Sequence, residues 1–429
     1  MTIEEQVRFL MQGTDYGDAG LAAAMQRELR QRLEEAGREG RRLRVYCGFD
    51  PRTTDLHIGH TVPIRKLRQF QELGHHVIFV VGTFTSMIGD PSDHDRLRAA
   101  LTPEQAERNG RTYAAQAFRI LDPQRTEVRS NHEWLAGLEF AELVRMASQF
   151  SLQQIMAREA FRTRWDAGDA VWLHETFYSL LQAHDASVLE ADVQVGGTDQ
   201  LFNIVTASRR LMESRGQRPN IAIILGILPG TDGKTKMSKS LGNHIPILAE
   251  PADMYGKVMS LPDEAMAAYF ALATPLAPDE IAQATGGHPR DAKMRLAREI
   301  VAVFHGGEAA RAAEERFVAL FRHGAEPEEA PQHALAAAQP LVDVLVAAGL
   351  APSRSEARRL IAQGAVSLGG ATLRGAEELV APGGLLRVGR RRFVRLVAAP
   401  PAPAPPGGAP PAPAAPVTAP PGSGSMEGA

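Results

Sequence analysis

Two clusters of residues have the types and spacings that phosphate chemistry uses. The first is His57-Ile-Gly-His60, two imidazoles three residues apart that share one face if the segment begins a helix. A helix start attracts phosphate through its free N–H groups and its dipole. Gly59 would let an adenine base or a phosphate approach the backbone closely. The second is Lys236-Met-Ser-Lys-Ser240, preceded by Asp232-Gly-Lys234. Ammonium groups on a Gly/Ser-rich loop can wrap a triphosphate and stabilise charge developing on a leaving pyrophosphate. The chain has six Lys against 41 Arg, and three of the six fall within 234–239. Lysine is a mobile point charge and arginine a planar fork, so this loop has a use for the former. Taken singly, each cluster also reads as something plainer: a surface His pair, an incomplete metal site, or a solvated basic loop.

A third pattern is Tyr178, Gln182 and Asp185, at i, i+4 and i+7. One helix face then presents three polar groups, as a ligand site or an ordinary surface helix would.

These residues need elements to hold them. Residues 43–49 read as a strand. A helix follows, with apolar Ile58, Val62, Leu67, Phe70 and Leu73, and stops at Gly74. Val77 to Val81 is a buried strand, which completes a right-handed parallel βαβ unit of roughly forty residues. Thr102-Pro-Glu-Gln105 is a capping-box helix start. Further strands are expected at 126–129, 192–195 and 221–225, and helices at 140–148, 151–162, 175–184 and from Asp199 to near Arg215. This alternation predicts an α/β fold with a doubly wound, Rossmann-like parallel sheet.

The expected organisation is a catalytic domain with N-terminal helices at 1–248 and a helical domain at 249–322. A Pro/Ala/Glu-rich linker at 323–340 precedes a small α+β module at 341–397, with two helices and then Gly-rich hairpins. Residues 398–429 hold 11 of the 29 Pro and one charge, Glu427, and should be disordered. The 341–397 module carries nine Arg and four Asp or Glu, a net +5, which leaves −8 for the rest of the chain. An acidic body with a basic module suits an RNA binder, or a basic surface without a partner.

Composition narrows the classes. The 429 residues are 44% hydrophobic and 23% charged, ordinary globular values. The apolar runs are far short of the ~20 residues that span a bilayer, and the N-terminus lacks a secretory pattern. Cys47 is the only cysteine, so an internal disulfide or a zinc cluster is not expected. The expectation is a cytoplasmic protein with no membrane contact and no protein-held metal.

H-I-G-H after a first strand, together with K-M-S-K-S on a doubly wound domain, resembles a class I aminoacyl-tRNA synthetase. Finer matches point to the bacterial tyrosyl-tRNA synthetases: Tyr46-Cys-Gly-Phe-Asp50-Pro, Ile88-Gly-Asp90-Pro-Ser92, Tyr178-x-x-x-Gln182-x-x-Asp185 and Gly196-Gly-Thr-Asp199-Gln200. The likeness covers about residues 40–250 and resumes at 341–397, which looks like a small RNA-binding fold shared with a ribosomal small-subunit protein. The resemblance implies a tyrosine–tRNA ligase that uses ATP with Mg2+, acts on tyrosine and tRNA(Tyr), and is a homodimer. It implies that Asp90, Tyr178 and Gln182 hold the α-amino group, and that Tyr46 and Asp185 bind the phenolic OH. Gln200 would lie beside the carboxylate. Asp50, Gly59, Gly197, Asp199 and Lys239 would bind ATP. His57, His60, Lys236 and Lys239 would stabilise the triphosphate in the transition state. Arg354, Arg358, Arg359, Arg391 and Arg392 would meet RNA.

Two departures stand out. The family usually follows Gly-Asp-Pro-Ser with Gly and then a cation, and this chain has Asp93-His94-Asp95-Arg96-Leu97-Arg98, which leaves Arg96 and Arg98 as substitutes. A Thr commonly follows Asp-Pro, and here Arg52-Thr53 does. Three rival readings share some of these residues. Tryptophanyl-tRNA synthetase lacks a reason for Asp185 and Tyr46. A non-catalytic RNA-binding paralogue should have lost Lys239, His60 or Asp199. A small-substrate nucleotidyltransferase lacks the lysine loop.

Overall fold

A computed structural model describes residues 1–51, 55–92, 101–322, 330–389 and 392–399. The loop positions His94, Arg96 and Arg98, together with Arg391 and the tail beyond Ala399, lie outside the described residues.

The first unit, Met1–His323, is built on five parallel strands in the order β3-β2-β1-β4-β5. These are β1 Arg44–Phe49, β2 His76–Val81, β3 Thr126–Ser130, β4 Val193–Gly197 and β5 Ile221–Leu225. Helices cover both faces, so Val77–Val81 of β2 and all of β5 read as unbroken apolar runs, and every residue of both runs is buried. β5 is a sheet edge, and the N-terminal segment covers it. The Asp15 N–H donates to the Ile224 carbonyl at 2.8 Å, and the Tyr16 hydroxyl donates to the Ala222 carbonyl at 2.7 Å. Helix Ile3–Met11 is held in turn by Lys66, a buried lysine whose ammonium caps its C-terminal carbonyls, Leu10 at 2.8 Å and Gln12 at 2.9 Å. Burial pulls that ammonium down to about 7.

The strands fall where the sequence reading expects them, within one or two residues at each end. Two helices do not. The expected helix at 151–162 is two, Leu152–Met156 and Glu159–Asp166, with Arg158 extended between them (φ −64°, ψ 136°). The expected helix after Asp199 is a 3-10 turn (Thr198–Gln200), a π-helix (Phe202–Ser208) and a short α-helix (Arg209–Ser214).

The helices Pro251–Met259, Met266–Ala273, Pro278–Thr285 and Pro289–Arg322 follow, the last broken at Gly306. Tyr255, Phe270, Leu296 and Ile300 lie in one buried cluster with Val7, Val45 and Ile223. Among the described residues, the helical stretch expected at 249–322 thus shares a buried cluster with the sheet expected within 1–248.

The second unit, Gly324–Ala429, has its own core of Leu335, Leu341, Leu345, Ile361, Leu386 and Leu396, among others. Two helices, Leu341–Ala347 and Arg354–Ala362, pack on a five-stranded sheet that includes Val366–Leu368, Leu385–Val388 and Arg392–Ala398. Part of the expected linker belongs to this unit. Gln332–Leu335 pairs in parallel with Arg395–Ala398, and Gln339–Pro340 pairs with Leu379–Val380. The Pro/Ala composition hid these strands, because partners rather than a pattern of their own define them.

Candidate active site

From β1 the chain winds outward through β2 and β3, then returns to the other side of β1 for β4 and β5. At such a reversal the connections leave the carboxyl ends of β1 and β4 in opposite directions, which opens a crevice. A cleft of about 600 Å³ lies there. It brings together Tyr46, Asp50, His57, Gly59, His60, Asp90, Tyr178, Gln182, Asp185, Gly197, Asp199, Gln200, Lys236 and Lys239. Residues read from six separate stretches of sequence thus share one cavity.

The inner end is buried and already hydrogen-bonded. Asp185 is 4% exposed. The Trp134 indole N–H donates to its Oδ1 at 2.7 Å and the Asn131 amide to its Oδ2 at 3.4 Å. Burial pushes the Asp185 carboxyl up to about 7, against the pull of those two donors. The Tyr46 phenol is also buried and donates to the Gln182 backbone carbonyl at 3.4 Å. Burial, then the nearby Asp185 charge, hold that phenol well above its ordinary range. A phenol or another donor entering here meets a carboxylate with capacity to accept.

A second group of acceptors lies next to it. Ser92 donates to Asp90 Oδ1 at 2.7 Å, and the Gln200 amide donates to Asp90 Oδ2 at 2.7 Å. Burial raises the Asp90 carboxyl. The Gln182 Oε1 is buried and has no hydrogen-bond partner among the described residues. Such an orphan acceptor is costly unless a ligand donor reaches it. Asp90, Gln182 and Tyr178 therefore suit an ammonium, which has three donors to place. Tyr178 at present donates to Asp50 Oδ2 at 3.1 Å, and Thr85 donates to Asp50 Oδ1 at 2.6 Å. Gly82 makes room for this pair, since a Cβ there would lie 2.0 Å from Asp50 Oδ1.

The mouth is different. His57 caps helix Ile58–Glu72, and its ring lies 3.7 Å from that of His60 between centroids. Its Nδ1 is buried without a partner among the described residues. Burial, then the charges of His60, His244 and Lys236, hold His57 down to about 2. It is a neutral imidazole at pH 7, a polar hydrogen-bonding group and not a cation. Gly59 serves this ring too: a Cβ would come within 3.0 Å of it.

The lysine loop is anchored by Met237, which is 3% exposed, and by a polar brace. Asp232 Oδ1 accepts the N–H groups of Lys234 and Thr235, both at 2.9 Å. Asn243 donates to Asp232 Oδ2 at 2.9 Å and accepts from the Ser238 N–H at 2.8 Å. The ammonium groups face outward from this brace. Lys236 pairs with Asp199 at 2.9 Å and Lys239 with Asp55 at 2.8 Å, each side chain close to half exposed.

In the second unit, three of the four described arginine candidates also rest on acidic neighbours. Arg354 pairs with Asp343 at 2.8 Å, Arg358 with Glu377 at 3.2 Å and Arg359 with Glu356 at 2.7 Å. Arg392 donates to the Leu350 carbonyl at 2.8 Å. The ion pairs are exposed, so exchange for phosphate costs little.

Sequence reading missed Asn131, Trp134, Asp55 and Asn243, and named Ser92 in a motif without giving it a role. The first two follow the carboxyl end of β3, and the rule that ligands gather at carboxyl ends would have flagged them. Among the described residues, no group of three His, Cys, Asp or Glu could hold a metal ion, and no helix is long and apolar enough to cross a membrane.

Comparison with known proteins places the chain. Residues 38–322 match the family described as tRNA synthetases class I (W and Y), and residues 339–384 match the S4 domain. The tyrosine–tRNA ligase of Desulfotalea psychrophila is 42% identical over 408 residues, 93% of this chain and 99% of that protein. The corresponding ligase of Thermotoga maritima is 42% identical over 404 residues, 92% and 98% of the two chains. In fold, the tyrosyl-tRNA synthetase of Archaeoglobus fulgidus, solved with L-tyrosine, superposes with a TM-score of 0.56 at 21% identity, covering 73% of this chain and 99% of that one. A truncated mitochondrial tyrosyl-tRNA synthetase of Aspergillus nidulans gives 0.57 at 23% identity, covering 74% and 93%. With a sheet reversal that holds both signature clusters in one cleft, and with near full-length relatives of one kind, the chain belongs to the class I tRNA synthetases of the W and Y family, on the tyrosyl side.

Proposed function

We infer that this chain joins tyrosine to the 3′ end of tRNA(Tyr) in two steps, with ATP as the energy source. In the first, the tyrosine carboxylate attacks the α-phosphorus of ATP, a P–O bond forms, and pyrophosphate leaves with the electron pair of the bond that breaks. In the second, a ribose hydroxyl at the tRNA 3′ end attacks the tyrosyl carbonyl and AMP leaves. Neither attack on phosphorus nor departure of pyrophosphate needs a protein nucleophile, so catalysis is placement and charge.

The single observation behind the choice of amino acid is Asp185, a buried carboxylate at the inner end of a cleft whose other acceptors suit an ammonium. The phenolic OH goes to Asp185 and Tyr46. The α-ammonium goes to Asp90, Gln182 and Tyr178. The ribose goes to Asp199 and Gly197, and Asp50 and Gly59 border the nucleotide. His57 and His60 donate to the phosphates, and Lys236, Lys239 and Arg98 neutralise the departing pyrophosphate. Mg2+ arrives with the ATP phosphates, its usual ligands in nucleotide sites. The second unit, with its arginines including Arg391 and Arg392, binds tRNA(Tyr). The protein works in the cytoplasm as a homodimer. Support for the dimer is that five large apolar side chains, Phe140, Leu152, Trp165, Trp172 and Leu173, are each more than 60% exposed.

ATP–pyrophosphate exchange across the twenty amino acids tests the reading, and only tyrosine should support it at low concentration. Because the two units have separate cores, a chain ending at residue 322 should retain exchange nearly in full and lose most tRNA charging. Exchange driven by another amino acid, or charging undiminished by the truncation, would contradict it.

A further inference from the structure

Three buried polar residues lie behind the cleft and belong to none of the roles above. Arg158 is 9% exposed, and Ser179 and Asn203 are fully buried. They form a continuous chain. An Arg158 guanidinium N–H donates to Ser179 Oγ at 2.7 Å. Ser179 Oγ donates to Asn203 Oδ1 at 2.8 Å. Asn203 Nδ2 donates to Gln200 Oε1 at 2.9 Å. Gln200 Nε2 then donates to Asp90 Oδ2 at 2.7 Å and to Ser92 Oγ at 3.2 Å.

The two ends of this chain fix its direction. Arginine only donates, and an ionised carboxylate only accepts. Each group between must therefore accept from the arginine side and donate toward Asp90. Reversing either amide would set two acceptors or two donors face to face in a buried site, which costs a full desolvation penalty. The backbone supports the arrangement. The π-helix Phe202–Ser208, following the 3-10 turn, brings Gln200 and Asn203 within reach of each other, and the Ser208 hydroxyl occupies the Asn203 carbonyl at 2.9 Å. Such wide turns recur at functional sites. The guanidinium is held between the rings of Phe161 and Phe202, 5.3 and 5.0 Å from their centroids.

We propose that Arg158, Ser179 and Asn203 are positioning residues: a polarised relay that sets the Gln200 amide, and through it the Asp90 carboxylate, to receive the α-ammonium of the amino-acid substrate. Both Gln200 N–H groups are used, on Asp90 and Ser92, so the relay acts on the ammonium and not on the substrate carboxylate. It rests on the reading that Asp90 holds the ammonium.

Two competitive inhibitors of tyrosine-dependent exchange separate the groups: tyrosinol, which keeps the ammonium, and 3-(4-hydroxyphenyl)propanoate, which keeps the carboxylate. Asn203→Asp is isosteric but accepts on both sides, so it turns the Gln200 amide and presents Oε1 to Asp90. Tyrosinol should then bind roughly tenfold more weakly, the loss of a hydrogen bond to a charged group. The propanoate and the KM for ATP should stay near parent values. The added negative charge would by itself tighten tyrosinol, so the loss runs against simple attraction. Ser179→Ala should move tyrosinol the same way by a smaller factor. Equal weakening of both inhibitors, or of neither, in these folded variants overturns the relay. Asp90→Asn is the control. If it also leaves tyrosinol binding unchanged, the assignment of Asp90 fails and the relay with it; if it weakens tyrosinol while both relay variants do not, only the relay fails.

Discussion

At the inner end of the cleft, Asp185, Tyr46 and Asp90 are buried or nearly so and already hold hydrogen bonds. At its mouth, Lys236 and Lys239 are close to half exposed and rest on Asp199 and Asp55. The contrast matches what each end would have to do under the proposed roles. Choosing one side chain among twenty requires polar groups that suffer when the wrong ligand leaves them unpaired, so they are buried and fixed. Following charge as it moves from one phosphate to another requires groups that can leave their resting partners cheaply, so they are exposed and mobile.

The largest effect should come from the inner end. Asp185→Ala should collapse discrimination between tyrosine and phenylalanine, read as the ratio of kcat/KM in exchange. The reference figure of ~10⁵ is itself that of a tyrosyl-tRNA synthetase, taken over from the family and not calculated from this pocket. A variant that rejects phenylalanine as strongly as the parent would remove Asp185 from the pocket chemistry.

The same carboxylate should tax folding. Its acid constant is about 7 in the folded chain, above the ordinary value of 3.8. Between these values the folded state holds the extra proton, so stability falls as pH rises toward 7, and the whole penalty stands above it. Asp185→Asn should therefore gain on the parent as pH rises, by at most about 4 kcal/mol at pH 8. Guanidinium unfolding at pH 5 and pH 8 measures the difference; a gap that does not widen with pH means that the carboxylate is not destabilised by burial.

The mouth should behave in the opposite way. Lys236→Ala and Lys239→Ala should each slow single-turnover adenylate formation by about 10²-fold, with tyrosine affinity and unfolding midpoint near parent values. Unchanged rates in both would sink the proposed role. The smallest effect should be that of Asp55→Ala, which frees Lys239 from an exposed pair worth below about 1 kcal/mol. A slowing as severe as that of Lys239→Ala would mean that the pair, and not the free ammonium, is the working form.

The sheet was legible because buried parallel strands are written as unbroken apolar runs, as in Ile221–Leu225. The site was legible as a set of residues because His57, Asp90, Asp185 and Lys236 sit in short stretches of distinctive types. What joined them was not. Lys236 meets Asp199 and Lys239 meets Asp55 only through the return of the chain across the sheet, which no local spacing encodes. The break at Arg158 was hidden for another reason: no Gly or Pro marks it, and it is stabilised by a side-chain contact to Ser179. The π-helix escaped because one wide turn leaves a pattern of period 3.6 almost unchanged. The Asn131–Trp134 support of Asp185 lay in a stretch with no obvious motif.

One feature of β1 has a practical side. Cys47 is the only cysteine in the chain; it is 4% exposed, and burial raises its thiol far from the reactive range. Reactive cysteines are accessible thiolates, whereas this thiol is almost wholly buried and its ionisation is disfavoured. The chain should therefore react only slowly with maleimide. A single Leu241→Cys change, at a 60% exposed position directly after Lys239 and Ser240, would place a fluorophore beside the lysine cluster, where it should respond to any movement of the loop on ATP binding. No native cysteine would have to be removed first.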